Sequence, residues 1–197
     1  MVLWFGFFPL AVVNLEGVIN DNLSSFFDRF KSGDFNGINI TIPHKEAALE
    51  FLDTLDKSAE ILGNINCVKR TENMLTGYNT DLYGFNMLLK QNNVNIESTH
   101  CLVLGAGGSA KTIIKALIDG GARSITIKNK SMDNAQAIQS YAQRLGDTDI
   151  YLCTESDAKF DIAINTTPLG MYEKEDTQDF FDISVDKNTV LIDLIYT

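Results

Sequence analysis

The run Val103-Leu104-Gly105-Ala106-Gly107-Gly108-Ser109-Ala110 has the residue types and the spacing to hold a pyrophosphate. An apolar strand precedes it and a helix follows. Gly105 allows a tight turn, and Gly107 lets the backbone approach the phosphate oxygens past Ala106. Free N–H groups at the helix N-terminus, around Gly108 and Ser109, then favour the negative charge together with the helix dipole. Ala110 stands at the third fingerprint position and is small enough for a helix to pack closely on a strand. A glycine turn alone is a weak signal, because any tight βα turn favours glycine. Here Ile125-Thr126-Ile127 arrives one helix later and completes the βαβ frame that the motif requires. Dinucleotide binding is the expectation, and a merely structural turn is the alternative.

The tip of that second strand bears on which dinucleotide is bound. NAD sites commonly place a carboxylate there for the ribose 2′-hydroxyl. This chain has Lys128-Asn129-Lys130-Ser131, with no acid before Asp133. A cationic, hydroxyl-bearing tip better suits a 2′-phosphate, which points to NADP. A solvated lysine pair is the competing explanation.

Two units must position such residues. In the first, residues 2–13 read as a buried strand. They lack the basic flank and cleavage site of a signal peptide, and fall short of the ~20 apolar residues of a membrane span. Asn22-Leu23-Ser24-Ser25 leads into a short helix, FFDRF, closed by Gly33. Gly37 to Thr41 alternates as a strand that stops at Ile42-Pro43. Pro43 is expected to open a helix through HKEAALEFLDTL, with Ala47, Ala48, Phe51, Leu52 and Leu55 on one face. Asp56 caps a further turn, KSAEIL, ended by Gly63. Residues 65–70 and 74–78 read as a hairpin turning at Thr71-Glu72-Asn73, and a helix from Asp81 ends the unit.

From about Ser98 the rhythm is β-α-β-α. Cys101-Leu102-Val103-Leu104 is wholly apolar, as in a central parallel strand buried on both faces. Helices to Asp119 and over 132–145 alternate with strands at 124–129, 150–153, 161–165 and 189–194. That alternation predicts a parallel sheet with right-handed crossovers.

Composition narrows the function classes. The chain has 197 residues, 45% of them hydrophobic, which suffices for a sizeable core. Its net charge of −10 and pI near 4.6 disfavour nucleic acid and acidic membrane surfaces as partners. Cys67, Cys101 and Cys153 lie far apart without a CxxC pair, and His44 and His100 are the only histidines. No metal site and no disulfide framework are expected, and a reducing compartment, the cytoplasm, fits.

Several stretches then resemble, in order, the motifs of the shikimate dehydrogenase family. Asn39-Ile40-Thr41-Ile42-Pro43-His44-Lys45 is similar to N-V-T-x-P-x-K, and Gly63-Asn64-Ile65-Asn66-Cys67 to G-A-V-N-T. Gly77-Tyr78-Asn79-Thr80-Asp81 with Gly84-Phe85 matches G-x-N-T-D-x-x-G-F. Beyond GAGGSA come Asn129-Lys130-Ser131 for N-R-T and Asn165-Thr166-Thr167-Pro168-Leu169-Gly170-Met171 for N-A-T-P-x-G-M. Asp193-Leu194-Ile195-Tyr196 stands for D-x-x-Y.

The resemblance implies an α/β protein. Residues 1–92 would be an N-terminal α/β substrate domain, and residues 93–197 a Rossmann-type parallel-sheet domain for NADP. It implies Lys45 and Asp81 as the catalytic pair, and Thr41, Asn66 and Tyr196 as substrate contacts. Cofactor contacts would come from Gly105 to Ala110, Asn129, Lys130, Ser131, Thr166, Thr167, Pro168 and Met171. The implied reaction is reversible reduction of 3-dehydroshikimate to shikimate, in aromatic amino-acid biosynthesis, by a monomer or homodimer. A lysine ammonium can polarise the carbonyl and stabilise the developing alkoxide, while a carboxylate positions it or shares in proton transfer.

Taken singly, each residue has a duller role. Lys45 could be an exposed residue of a first helical turn, Asp81 a first-turn acid, Asn66 a backbone partner in a hairpin, and Thr167-Pro168 a strand terminator. The chain also departs from the family pattern. Cys67 replaces a threonine, Asn64 a small residue and Lys130 an arginine, which loses bidentate geometry toward phosphate. No G-x-P-x-x-H-S-x-S-P stretch precedes residue 39, and the glycine-rich loop and helices expected after D-x-x-Y are not in the sequence. The chain is therefore expected to be trimmed at both ends. Two other readings stay open: a non-catalytic relative that binds a dinucleotide or a protein partner, and a dehydrogenase using NAD or acting on quinate.

Overall fold

Residues 23–41, 44–153, 159–169 and 187–195 are described by the computed structural model; the strand expected over 2–13 lies outside them. In the first unit, Leu23, Phe26, Phe27 and Phe30 recur at helical spacing and form the buried stripe of α1 (Leu23–Ser32). The rings meet others from later in the unit: Phe27 stacks on Phe51 at 4.9 Å and Phe26 on Phe35 at 5.7 Å. Gly33, at φ +106°, ends the helix as expected.

A four-stranded sheet follows, built from β1 (Gly37–Asn39), β2 (Thr54–Leu55), β3 (Cys67–Thr71) and β4 (Met74–Tyr78) in the order β1-β3-β4-β2. β1/β3 and β3/β4 are antiparallel, and β2 runs parallel to β4. The β3–β4 turn is tighter than the sequence predicts. Thr71 pairs with Met74, so Glu72 and Asn73 alone make the loop, with Glu72 at φ +55°. Helix α2 (Lys57–Leu62) forms as its caps dictate: Ser58 N–H donates to the Asp56 carboxylate and Gly63 adopts φ +63°.

The helix expected from His44 to Leu55 is a correction. Only a 3-10 helix over Ala47–Phe51 forms, and Leu52 is already extended. Thr54 and Leu55 instead pair with Thr76 and Gly77 as β2. Asp53 N–H donates to Leu75 O, Leu75 N–H to the Asp53 carboxylate, and Asp56 N–H to Gly77 O. Helical periodicity describes side chains only. The open edge of β4 offers backbone groups that need partners, and an extended 53–56 segment satisfies them.

Gly77 marks how close that approach is. A Cβ there would lie 2.5 Å from Leu52 Cδ1 and 2.9 Å from Ile65 Cγ2. Gly77→Ala is expected to cost about 1–3 kcal/mol by overpacking. Denaturant unfolding reads this directly, and unchanged stability would mean that Leu52 yields freely. A second prediction concerns acid. The Leu75 N–H, assisted by Lys31, holds the Asp53 carboxyl below its ordinary 3.8, and the Ser58 N–H does the same for Asp56. A depressed folded-state pKa adds stability above the unfolded value, and that stability disappears as pH falls through the folded value. Asp53→Asn is therefore expected to flatten the loss of stability below about pH 4, followed by unfolding at stepped pH.

Contacts divide the chain into Met1–Thr80 and Asp81–Thr197. Helix α3 (Asp81–Gln91), placed by the sequence at the end of the first unit, therefore packs in the second. Its Phe85 and Leu89 join the core of Ile113, Ile114 and Leu117 from α4 (Gly108–Asp119). An amphipathic stripe does not say which core it meets.

The second unit adds β5 (His100–Leu104), β6 (Ser124–Lys128), α5 (Met132–Ala142), β7 (Asp149–Leu152), β8 (Ile162–Asn165) and β9 (Val190–Asp193). All five strands are parallel, in the order β7-β6-β5-β8-β9. β5 is buried on both faces. Cys101 and Val103 meet the α4 and α5 side, while Leu102 and Leu104 meet Phe160 and Ala163 on the other. The strand succession runs outward from β5 to β6 and β7 on one side and from β8 to β9 on the other, so β5 and β8 flank the switch point where open α/β sheets bind ligands beyond the strand ends.

Candidate active site

The sequence-predicted residues fall into two half-sites, one in each unit. In the first unit, Asn39 pairs with Cys67 and Cys67 with Tyr78, so the end of β1, the start of β3 and the end of β4 lie level. The loops leaving these ends are tied together. Ile40 N–H donates to Asn66 O at 2.8 Å, Ile65 N–H to Lys45 O at 3.0 Å, and Asn66 N–H to Tyr78 O at 3.0 Å. Lys45, and Ile40 next to Thr41, are thus held by backbone bonds beside the Ile65–Asn66 segment. Thr41 is exposed and Lys45 half-buried.

Asn66 has a second task that the sequence does not announce. Its Nδ2 donates to Thr80 Oγ1 at 2.9 Å, and Thr80 N–H donates back to its Oδ1 at 3.0 Å. This clamp holds the residue directly before Asp81, the first residue of α3, where a carboxylate also suits the helix dipole. Beneath it lies a buried amide pair: Asn79 Nδ2 donates to Asn64 Oδ1 at 2.6 Å, and Asn79 N–H to Ser58 Oγ at 3.1 Å. Thr80 and Asn79 thus hold these loops through hydrogen bonds, a part that motif reading left unassigned. Their signal was two side chains able to accept and donate just before a helix start.

In the second unit the glycine-rich turn leaves β5 at the switch point. Gly105 has φ +109°, and its N–H donates to Lys128 O at 2.8 Å. A Cβ on it would lie 2.6 Å from Thr166 Oγ1, so the turn leans on the segment after β8. Thr166 is fixed in turn, because its N–H and Oγ1 both donate to Leu104 O, at 2.9 and 2.7 Å. Gly107 differs: nothing lies within 4 Å of where its Cβ would stand. It precedes α4 without a side-chain cap, and the first turn of α4 holds no acid. An uncapped helix N-terminus beside open space suits a pyrophosphate. Ala110 is fully buried in the core, as the fingerprint demands.

At the tip of β6, Asn129 Nδ2 donates to Ser131 O, and Ser131 Oγ accepts from Asn134 N–H as the cap of α5. Lys130 is exposed on this loop and Lys128 half-buried. Thr167 and Pro168 follow β8, with Thr167 bonded to Asn165 at 2.7 Å. Met171 and Tyr196 lie outside the described residues. Burial pushes the Cys101 thiol up to about 11, so it offers no thiolate at neutral pH. Among the described residues, no cluster of three His, Cys, Asp or Glu side chains could hold a metal, and no helix is long and apolar enough to cross a membrane.

Known proteins resemble this chain along both units. Residues 9–68 match the family model of the shikimate dehydrogenase substrate binding domain, and residues 87–195 that of shikimate/quinate 5-dehydrogenase. A shikimate dehydrogenase (NADP⁺) of Clostridium beijerinckii is 36% identical over 186 residues, covering 91% of this chain. One from Nitrosopumilus maritimus is 34% identical over 181 residues, covering 89%. The chain spans 65% of the length of each of these relatives. A solved shikimate dehydrogenase in complex with NADP⁺ superposes with a TM-score of 0.77 at 29% identity, over 91% of this chain and 64% of that one. With its motifs in order, its glycine turn at the switch point and these matches along both units, the chain belongs to the shikimate/quinate 5-dehydrogenase family.

Proposed function

We propose that this chain carries an NADP-dependent dehydrogenase that interconverts shikimate and 3-dehydroshikimate. The observation that carries the reading is the contrast between Gly105, packed against Thr166, and Gly107, open beside an uncapped helix N-terminus. That is a dinucleotide turn in a chain of this family. The residues fit the cofactor. The N–H groups at the start of α4 would take the pyrophosphate, Asn129, Lys130 and Ser131 the adenosine end, and Thr166 to Pro168 and Met171 the end beyond the switch point. When bound, the dinucleotide supplies or accepts the hydride.

The protein's own residues do the rest. Lys45 holds the reacting oxygen by its ammonium and stabilises negative charge as the carbonyl forms or is reduced. Asp81, presented at the start of α3, shares the proton that the oxygen gains or loses. Thr41, Asn66 and Tyr196 hydrogen-bond the ring hydroxyls. Such contacts discriminate strongly, because an analogue lacking a hydroxyl leaves them unpaired. The same reading puts the protein in the cytoplasm as a monomer or homodimer, with a small-molecule substrate and neither nucleic acid nor membrane as partner.

The test is absorbance of the reduced nicotinamide with shikimate and NADP⁺, then with NAD⁺ and with quinate. Turnover with shikimate and NADP⁺ supports the proposal. Faster turnover with quinate or NAD⁺ reassigns the substrate or the cofactor, a result that Lys130 in place of arginine would accommodate. NADPH binding without turnover leaves a non-catalytic dinucleotide binder.

A further inference from the structure

β8 ends in a polar residue where the rest of the strand is apolar. Ile162, Ala163 and Ile164 are buried, and so is Asn165, at 6% exposure. A buried amide is costly unless both of its ends are bonded. Here both are. Oδ1 accepts from Thr167 N–H at 3.0 Å and from Thr167 Oγ1 at 2.7 Å, while Nδ2 donates to Asp193 Oδ1 at 3.0 Å. Asp193 is its register partner on β9, and the same carboxylate oxygen accepts Ile195 N–H at 2.9 Å. The amide has one workable orientation, because flipping it would set donor against donor at Thr167 and oxygen against carboxylate at Asp193.

The consequence runs to the glycine turn. Thr167 Oγ1 passes the bond on by accepting Leu169 N–H at 3.2 Å, so residues 165–169 are held as one closed turn. Thr166, in the middle of it, is bonded to Leu104 O, and the Gly105 turn rests against Thr166 and Thr167. We infer that Asn165 is a positioning residue of the dinucleotide half-site: bonded between Thr167 and Asp193, its amide sets the turn against which Gly105 packs. The inference rests on the dinucleotide reading above. It explains why an amide stands at the end of an apolar strand, since a group that donates at one end and accepts at the other meets both neighbours.

The test replaces the amide by a carboxyl. In Asn165→Asp two carboxyl groups face each other, and like charges so placed cannot both ionise freely. NADPH affinity is measured by nicotinamide fluorescence for wild type, Asn165→Asp and Asp193→Ala, with circular dichroism confirming that each is folded. At about pH 8 the Asn165→Asp protein is expected to bind about tenfold or more weakly, since buried donors and acceptors lose their partners. At about pH 5.5 the ratio to wild type shrinks, because a protonated Asp can again donate to Asp193 and accept from Thr167. A residue that only fills space gives a ratio indifferent to pH. Asp193→Ala, altered at the exposed end of the network, is expected to weaken binding several-fold and decides alone if Asn165→Asp does not fold. A ratio that stays flat with pH, or wild-type affinity in Asp193→Ala, overturns the positioning role. Wild-type protein that does not bind NADPH overturns the dinucleotide reading and this role with it.

Discussion

Lys45→Ala is expected to lower turnover of shikimate by about 10²–10³-fold, the usual cost of removing one donor to a developing oxyanion. The backbone of Lys45 is tied to Ile65, next to Asn66, so the truncation removes the ammonium and leaves the loop in place. NADPH affinity should therefore stay at the wild-type value while kcat falls. Steady-state kinetics with a parallel NADPH titration separates the two. A folded Lys45→Ala protein with full activity removes Lys45 from the chemistry. Equal loss of affinity and rate would instead mark a general disturbance of structure.

Gly105→Ala is expected to abolish measurable dinucleotide binding and to destabilise the second unit. Two costs coincide at this position. A left-handed φ of +109° is strained for any residue with a Cβ, by about 1–3 kcal/mol. The new methyl would also lie 2.6 Å from Thr166 Oγ1, 3.0 Å from Thr167 Cγ2 and 3.4 Å from the Thr166 carbonyl carbon. Thr166 cannot swing aside without breaking its bonds to Leu104 O. Overpacking of that kind adds about 1–3 kcal/mol.

Gly107→Ala is the control. With φ at −98° and no atom within 4 Å, the added methyl is tolerated by the protein. Stability should fall by only about 1 kcal/mol or less, the cost of alanine in place of glycine at an N-cap. On the proposed reading NADPH affinity should nevertheless fall, because the methyl would take space that the phosphate needs. Thermal unfolding and fluorescence titration of both variants give the contrast. Unchanged affinity in Gly107→Ala would argue that the turn is only structural.

Much of the second unit was legible because its signals are local. The run CLVL, the glycine turn and the strand SITIK each report on their own few residues, and β5, α4 and β6 stand where these signals predict. The run FFDRF closed by Gly33 identified α1, and Asp56 with Gly63 bounded α2. The segment 44–55 departs from its helical spacing for the complementary reason. Its apolar spacing fits a helix, yet the backbone of 53–56 is claimed by the edge of β4. Similarly, Asn66 was assigned to substrate by motif, whereas the structure also engages it with Thr80. An amide has several donors and acceptors, and a sequence does not say which neighbours use them.

The sequence by itself determined the element types of the second unit, the position of the glycine-rich turn and the order of the family's motifs. These follow from turn chemistry and periodicity, which act over a few residues. Only the tertiary structure decided that β8 lies beside β5, that α3 joins the second core, and that Gly105 leans on Thr166 while Gly107 faces open space. Thr166 stands 61 residues after Gly105 in the chain (166 − 105). Which strand ends meet, and which polar atoms then become partners, is settled by pairing and packing between segments far apart in sequence. No local pattern encodes that choice.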